Sequence, residues 1–372
     1  MEPWKANRRK LLALLEEKGV EALILANPSN ITYATGLRDP SGALVLSSKC
    51  GDHLLVPLLD YHRAEKASDI EVHAFYRGSE EGIKADLPKS RVILGGLVDA
   101  IAKVLSDCKG KIGADLSATG YQLAKSLGEK LSPVDLAPDV SRIRSIKSEA
   151  EIRLVVEAVG IAEKAFSRAL QMLEEGVSEA QIAGLMEAEM RREGAWGPAF
   201  QTIVAFYSNT AYPHHSPGWD KLSVPGPVLI DWGAIYNGYR SDTTRTMWWG
   251  GKTSSQFMKH LEAVVEAANT ALDLVAPGVQ AWEVDSAARR VLAREGLDKY
   301  FIHGLGHGVG VDIHEEPYIR PASKTILEPG MIITIEPGIY LPGLYGIRVE
   351  NTVLVTKTGY RVLNTLPSQI PL

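Results

Sequence analysis

The sequence predicts an α/β domain over residues 1–135 and an α+β domain, built from two related halves, over residues 142–372. Three observations carry this. Helix and strand signals alternate through the first third. The stretch SPVDLAPDVS, Ser132 to Ser141, has two prolines and no periodicity. A 19-residue segment then recurs, with both copies opening Gly-Val and closing Arg-Glu-Gly. A chain of 372 residues is also longer than one ordinary core supports.

In the first domain an amphipathic helix is expected near Pro3–Lys18, too charged for a signal peptide. The runs EALIL, ALVLSS, HLLVPLLD and EVHAFY read as strands. A helix around Gly96–Ser106, a KIGAD strand and the helical GYQLAKSLGEK continue the alternation. After the linker, SEAEIRLVVEAVGIAEKAFSRALQMLEEG reads as one long helix, and Ser178 with Gln181 has capping-box spacing for the next.

Composition narrows the function. The formal charge of −5 gives no electrostatic draw to nucleic acid or to an anionic membrane. Cys50 and Cys108 stand in separate regions, so neither a disulfide scaffold nor a zinc–thiolate site is expected. No run approaches the ~18 apolar residues of a membrane span. A cytoplasmic location is the expectation.

The repeat runs from Gly176 to Gly194 and from Gly278 to Gly296, with five identities in nineteen positions. A shared helix-cap pattern alone can produce that, but the downstream residues extend it. Asp231 and Asp242 lie 55 and 66 residues after Gly176; Glu336 and Glu350 lie 58 and 72 after Gly278. His214 and His314 follow their glycines by 38 and 36 residues. Each half thus offers one histidine and two carboxylates, and a pseudo-twofold axis would gather all six in one cleft. His307, inside the glycine-rich GLGHGVGVDIHEEP, has no counterpart.

In PVLIDWGAIYNGYRSDTTR, Asn237-Gly238 is a strong hairpin signal. If Ile235–Tyr236 and Tyr239–Arg240 flank the turn, Asp231 faces Thr244, with Asp242 a diagonal neighbour on the same face. Solvated hairpin charges are the plain alternative, but Asp231 ends an apolar run and precedes Trp232. Glu336 ends the strand Met331–Ile335, and Glu350 interrupts an expected strand Ile347–Val355. Four unpaired carboxylates in one core cost several kcal/mol each or take up protons. Two divalent cations balance them, which makes a metal centre the preferred reading.

The set IDWGAIYNGYRSDTTR, GLGHGVGVDIHEEP, TIEPGIY and GIRVENTVLVT closely resembles the pita-bread-fold metallopeptidases: prolidases (Xaa-Pro dipeptidases), aminopeptidase P and methionine aminopeptidases. The resemblance runs from about Ser141 to the last residue. NPSNITYATGL and the α/β rhythm resemble the amino-terminal domain of the prolidase and aminopeptidase P branch. The resemblance implies Asp231, Asp242, His307, Glu336 and Glu350 as ligands of two divalent ions, with Asp242 and Glu350 bridging. Oxygen-rich ligation with one imidazole suits manganese, cobalt or iron and tolerates zinc. Glu336 is then the proton acceptor, and His214 and His314 contact the substrate. The glycines beside His307 are expected to let the backbone pass close to metals and substrate. Arg348 has two readings: a fork for the prolyl carboxylate or a charge partner of the carboxylate cluster.

The ligand positions are all filled, unlike those of the metal-free creatinases or of non-catalytic peptide-binding relatives. Within the branch, some prolidases place an arginine directly after the HExP motif, where this chain has Tyr318, with Arg320 two further on. Tyr212 stands where a small aliphatic residue is common and is expected to narrow the pocket. A homodimer is expected, with Arg38, in the turn-rich TGLRDPSG, reaching a partner's cleft or remaining a solvated loop charge. The substrate is thus a small peptide, a Xaa-Pro dipeptide ahead of a longer Xaa-Pro peptide.

Overall fold

A computed structural model of the protein describes residues 3–83 and 86–370. It divides into two compact units, Met1–Arg144 and Ser145–Leu372. The segment Ser132–Ser141, expected as a bare linker, instead carries the short strand β7 (Val134–Asp135) and the start of helix α6 (Ala137–Ser145). Pro138 falls in the first turn of α6, where its missing N–H leaves no bond unmade.

The first unit is a seven-stranded mixed sheet. Its other strands are β1 (Ala22–Leu25), β2 (Ala43–Leu46), β3 (His53–Pro57), β4 (Glu71–Tyr76), β5 (Val92–Leu94) and β6 (Ile112–Ala114). The order is β5-β4-β3-β2-β1-β6-β7, and β1 and β2 are buried at every position. Helices α1 (Trp4–Lys18), α2 (Pro28–Thr35), α3 (Tyr61–Ala67), α4 (Leu97–Val104) and α5 (Tyr121–Leu131) complete the unit before α6. Asn27 caps α2 through its side chain. The two cysteines, expected to stand apart, are joined as a disulfide, with Cα atoms 6.1 Å apart. Folding brings the loop after β2 to the loop after α4, a meeting that a separation of 58 residues conceals.

The second unit repeats itself. Helices α7 (Glu149–Leu170) and α8 (Glu179–Arg192) are followed by β8 (Gly197–Pro198), β9 (Ile203–Phe206), β10 (Gly226–Trp232), β11 (Ala234–Tyr236), β12 (Tyr239–Arg240) and β13 (Thr243–Trp249). Helices α9 (Ser255–Leu272) and α10 (Ala281–Arg294) then precede β14 (Gly306–Gly308), β15 (Glu315–Ile319), β16 (Ile332–Ile335), β17 (Gly338–Leu341), β18 (Tyr345–Arg348), β19 (Asn351–Val355) and β20 (Tyr360–Val362). The pairing β9-β10-β13 in one half recurs as β14-β16-β19 in the other, and the hairpin β11-β12 recurs as β17-β18.

The sequence repeat has a backbone counterpart. Gly176 and Gly278 have φ of 90° and 89°. Their N–H groups donate to Leu222 and Leu327 carbonyls, and capping boxes at Ser178 and Gln280 open α8 and α10. Each half has its own apolar core, one around Phe166 and Trp232, the other around Phe257 and Ile333. No helix among the described residues is long and apolar enough to cross a membrane.

Candidate metal centre

The Asn237-Gly238 turn fixes the first carboxylate pair. Both residues have positive φ, 45° and 81°, and the pairing Tyr236↔Tyr239 and Ile235↔Arg240 sets the register. Asp231 then pairs with Thr244, as the sequence predicts, and Asp242 immediately precedes β13. In the second half Glu336 directly follows β16 and Glu350 directly precedes β19. The expected single strand Ile347–Val355 is therefore broken. Arg348 ends β18 in the two-stranded sheet, and pairing resumes at Asn351 in the five-stranded sheet. Glu350 sits at the crossing, its N–H donating to the Thr244 carbonyl of the other half at 3.1 Å.

His307 occupies the middle of β14. Its Nδ1–H donates to the Gly308 carbonyl at 3.1 Å, which leaves the Nε2 lone pair free to bind a cation. Nε2 lies 3.2 Å from Glu336 Oε1 and 3.6 Å from Asp242 Oδ2. Asp242, His307 and Glu350 offer ligand atoms all within 4.8 Å of one another. The glycines around His307 serve packing more than access. Gly304 and Gly306 do line the cavity, but a Cβ at Gly306 would overlap the Thr334 carbonyl and one at Gly308 the Glu316 carbonyl. Side chains are barred there by neighbouring backbone.

Electrostatics make this cluster unstable as a set of bare anions. Burial, then repulsion from neighbouring carboxylates, holds Asp242 and Glu350 well above the ordinary carboxylate range. Burial also raises Asp231, against the pull of Arg348. Burial pushes Glu336 the same way, but a hydrogen bond from His307, made when that ring is protonated at Nε2 as well, brings it down to about 2. Asp231 Oδ1 and Glu350 Oε1 are buried with no hydrogen-bond partner among the described residues. Orphaned anionic oxygens facing one imidazole are what hard or borderline divalent cations require, so the residues fit a metal centre.

Arg348 is buried and engaged within the protein. Its guanidinium donates to Asp231 Oδ2 at 2.6 Å, Tyr340 Oη at 2.7 Å, Thr244 Oγ1 at 3.0 Å and the Pro213 carbonyl at 3.4 Å. Thr244 Oγ1 in turn donates to Glu350 Oε2 at 2.7 Å. Nδ1–H of His303 donates to the Gly304 carbonyl, so its Nε2 accepts from Tyr340, 3.0 Å away. Tyr340, fully enclosed, is pushed up to about 12 by burial. Tyr340 closes the TIEPGIY stretch and His303 directly precedes GLGHGVGVDIHEEP, but the sequence assigns neither of them a role.

A cavity of about 810 Å³ opens over the carboxylates. His214 and His314 both line it, and the His314 ring packs edge-on to His307 with centroids 4.3 Å apart. Tyr318 lines it too, with the Arg320 guanidinium 5.1 Å above its ring, and Arg320 is also part of the wall. Tyr212 is 62% exposed and stands outside the lining, stacked beside His215, so it does not narrow the cavity. His215 pairs at 2.7 Å with Glu179, which also accepts from the Phe206 and Gly218 N–H groups. That fully buried carboxylate holds the loop carrying His214, although in the sequence it looks like an ordinary first-turn acid of α8. Glu315, which had no assigned role, forms an enclosed ion pair with Lys147 at 2.7 Å. Arg38, in the first unit, pairs with Asp39 at 3.5 Å.

Comparison with known proteins agrees with this geometry. Residues 153–357 match metallopeptidase family M24, and residues 8–146 match the creatinase/prolidase N-terminal domain. The chain is 34% identical to a protein of Pyrococcus horikoshii named Xaa-Pro dipeptidase, over 95% of each chain. Its fold is similar to the crystal structure of an X-Pro aminopeptidase from Thermotoga maritima (TM-score 0.87, 29% identity, 98% of each chain). It is also similar to the prolidase structure from Pyrococcus horikoshii OT3 (TM-score 0.84, 32% identity, 97% of this chain and 99% of that one). The second unit thus has the pita-bread fold, and the chain belongs to the M24 metallopeptidases, with a creatinase/prolidase-type domain ahead of the peptidase domain.

Proposed function

We propose that the protein hydrolyses the Xaa-Pro bond of dipeptides. The observation that carries this reading is the cavity itself: buried carboxylates and His307 form its floor, and the two pseudo-symmetric histidines stand in its wall. Full-length similarity to a protein named Xaa-Pro dipeptidase supports the substrate class. Two divalent ions, manganese, cobalt, iron or zinc, would be held by Asp231, Asp242, His307, Glu336 and Glu350, and would supply Lewis acidity at the scissile carbonyl and an activated water. Glu336 Oε takes the proton of the attacking water and passes it towards the prolyl nitrogen, which has no N–H of its own. His214 and His314 contact the substrate and donate to its scissile carbonyl oxygen as that oxygen becomes negative.

Arg348 is a positioning residue in this reading, because its donors are already directed at Asp231, Tyr340, Thr244 and Pro213. Arg320, steadied over the Tyr318 ring, is the cation that meets the prolyl carboxylate in place of an arginine at position 318. Arg38 of the partner subunit adds to that length limit in a homodimer, and the enzyme works in the cytoplasm. Arg38→Ala is then expected to raise Xaa-Pro-Yaa cleavage relative to Xaa-Pro, and an unchanged ratio removes it from the site.

Aminopeptidase P activity is the second reading. It is favoured by Tyr318 at the arginine position and by similarity to the Thermotoga maritima structure. The deciding assay supplies manganese, cobalt or zinc and compares Xaa-Pro, Xaa-Pro-Yaa and Xaa-Ala peptides. Cleavage of Xaa-Pro over the other two is expected. Activity on the tripeptide alone moves the protein to aminopeptidase P, and no metal-dependent hydrolysis of any peptide leaves a peptide-binding role.

A further inference from the structure

The amino-terminal unit carries a second group of metal-ligating side chains that the peptidase chemistry does not use. In the parallel pair β3–β4, His53 registers with Glu71, and His73 follows Glu71 by two residues. Residues two apart on a strand share a face, so all three side chains project from one face at the start of the two strands. His53 Nδ1 and His73 Nε2 point at each other across 3.2 Å. The Glu71 carboxylate completes a triangle, with Oε1 3.4 Å from His73 Nε2 and Oε2 3.9 Å from His53 Nδ1, and one ligand atom from each residue lies within 4.8 Å of the other two.

Two features make this triangle a ligand set. The Cys50 carbonyl, 2.8 Å from His53 Nε2, can only accept, so that nitrogen carries the proton and Nδ1 presents a lone pair to the group. A backbone acceptor behind a ligating imidazole is the usual way its tautomer and ring orientation are fixed. The turn bearing this carbonyl is tied down by the Cys50–Cys108 bond. Spacing is the second feature. Ligands ~2.0–2.2 Å from a tetrahedral cation lie about 3.3–3.6 Å from one another. The 3.2 Å and 3.4 Å separations at His73 Nε2 are close to that, and the 3.9 Å approach to His53 is made by the second carboxylate oxygen. The two imidazoles are largely enclosed, at 14% and 12% side-chain exposure, whereas Glu71 is 45% exposed. His73 Nδ1 is buried and has no hydrogen-bond partner among the described residues, so nothing there fixes which nitrogen holds the proton.

We propose that His53, Glu71 and His73 form a site for a borderline divalent cation, zinc above all, joining β3 to β4 in the amino-terminal unit. Two imidazoles and one carboxylate match zinc chemistry better than the oxygen-rich peptidase cluster does. Arg91 also bonds Glu71, and this is the competing arrangement: Glu71 held by Arg91, with His73 Nε2–H donating to His53 Nδ1 and no cation.

The test uses the full chain, stripped with a chelator and titrated with zinc, with bound metal counted after dialysis. Wild type is expected to hold one equivalent more than His53→Ala. Glu71→Gln should weaken that equivalent on the order of 100-fold. Hydrolysis of Xaa-Pro by metal-loaded variants should stay within twofold of wild type, which checks folding independently. Should His53→Ala fold poorly, Glu71→Gln, with its half-exposed side chain, still decides. A direct reading comes from histidine ring-nitrogen NMR, in which His53 and His73 should shift on adding zinc. Equal stoichiometry and affinity in wild type and variants, with these ring signals unmoved, would establish the cation-free arrangement instead.

Discussion

Replacing Arg348 with methionine separates its two readings. Arg348 is 3% exposed and its guanidinium lies 2.6 Å from Asp231. Methionine fills similar space but leaves a buried carboxylate without its cation. Breaking one side of a buried ion pair costs about 3–5 kcal/mol. In a unit the size of residues 145–372, each kcal/mol shifts the melting temperature by roughly 2–4 °C, so the metal-stripped variant should melt about 6–20 °C lower. Divalent cation should recover part of that loss by neutralising Asp231. Activity should fall on the order of 100-fold through kcat, because Asp231 and the Pro213 loop lose their anchor. The fall should be equal for a Xaa-Pro dipeptide and for its prolyl amide, which lacks the terminal carboxylate. Arg348→Lys keeps the charge but cannot reach Asp231, Tyr340 and Thr244 together, so it should restore stability better than rate. A loss confined to KM for the free-carboxylate substrate, with normal stability, would refute the reasoning and restore Arg348 as the substrate fork.

Metal removal should make stability depend on pH. In the stripped protein Asp231, Asp242 and Glu350 have folded pKa values above their unfolded ones, so the native state binds more protons. Stability should therefore fall as pH rises above about 4, by ~1.4 kcal/mol per unit for each extra proton held. Glu336, held at about 2, contributes the opposite sign only below about pH 4. Thermal melts with and without manganese check this, and a pH-independent stripped protein contradicts it. His214→Ala and His314→Ala should each lower kcat by on the order of 100-fold with the metal content unchanged, measured by steady-state kinetics and elemental analysis. Lys147→Met should destabilise the protein by about 3–5 kcal/mol by breaking the enclosed pair with Glu315, measured by denaturant titration, with little effect on KM.

Local signals were legible wherever neighbouring residues set the geometry. Asn237-Gly238 determines a register over a few residues, so the approach of Asp231 to Thr244 followed from the turn alone. The Gly-Val openings of the repeat marked real backbone conformations, because positive φ and a capping box are local requirements. Long-range partners were not legible. Nothing adjacent to Glu179 reveals that it holds the His214 loop, and nothing near Arg348 reveals Tyr340 or Thr244 as its acceptors. The break at Glu350 was hidden for a related reason. Its flanking β-branched residues suit one continuous strand, and only the switch of partner from β17 to β16 interrupts it.

The duplicated architecture has a consequence for direction. Two carboxylates from each half would give a cleft that looks alike from either end, yet a peptide bond has distinct acyl and amino sides. Ala205 pairs with Leu229, two residues before Asp231. The equivalent place beside Thr334, two residues before Glu336, belongs to His307, whose N–H donates to the Thr334 hydroxyl. One half therefore keeps an apolar contact of Ala205 and Leu229 where the other sets an imidazole. With the pairing of Arg348 to Asp231 alone, that exchange gives a pseudo-twofold cleft a head and a tail, and with them a reason for the chain to accept its substrate in one orientation.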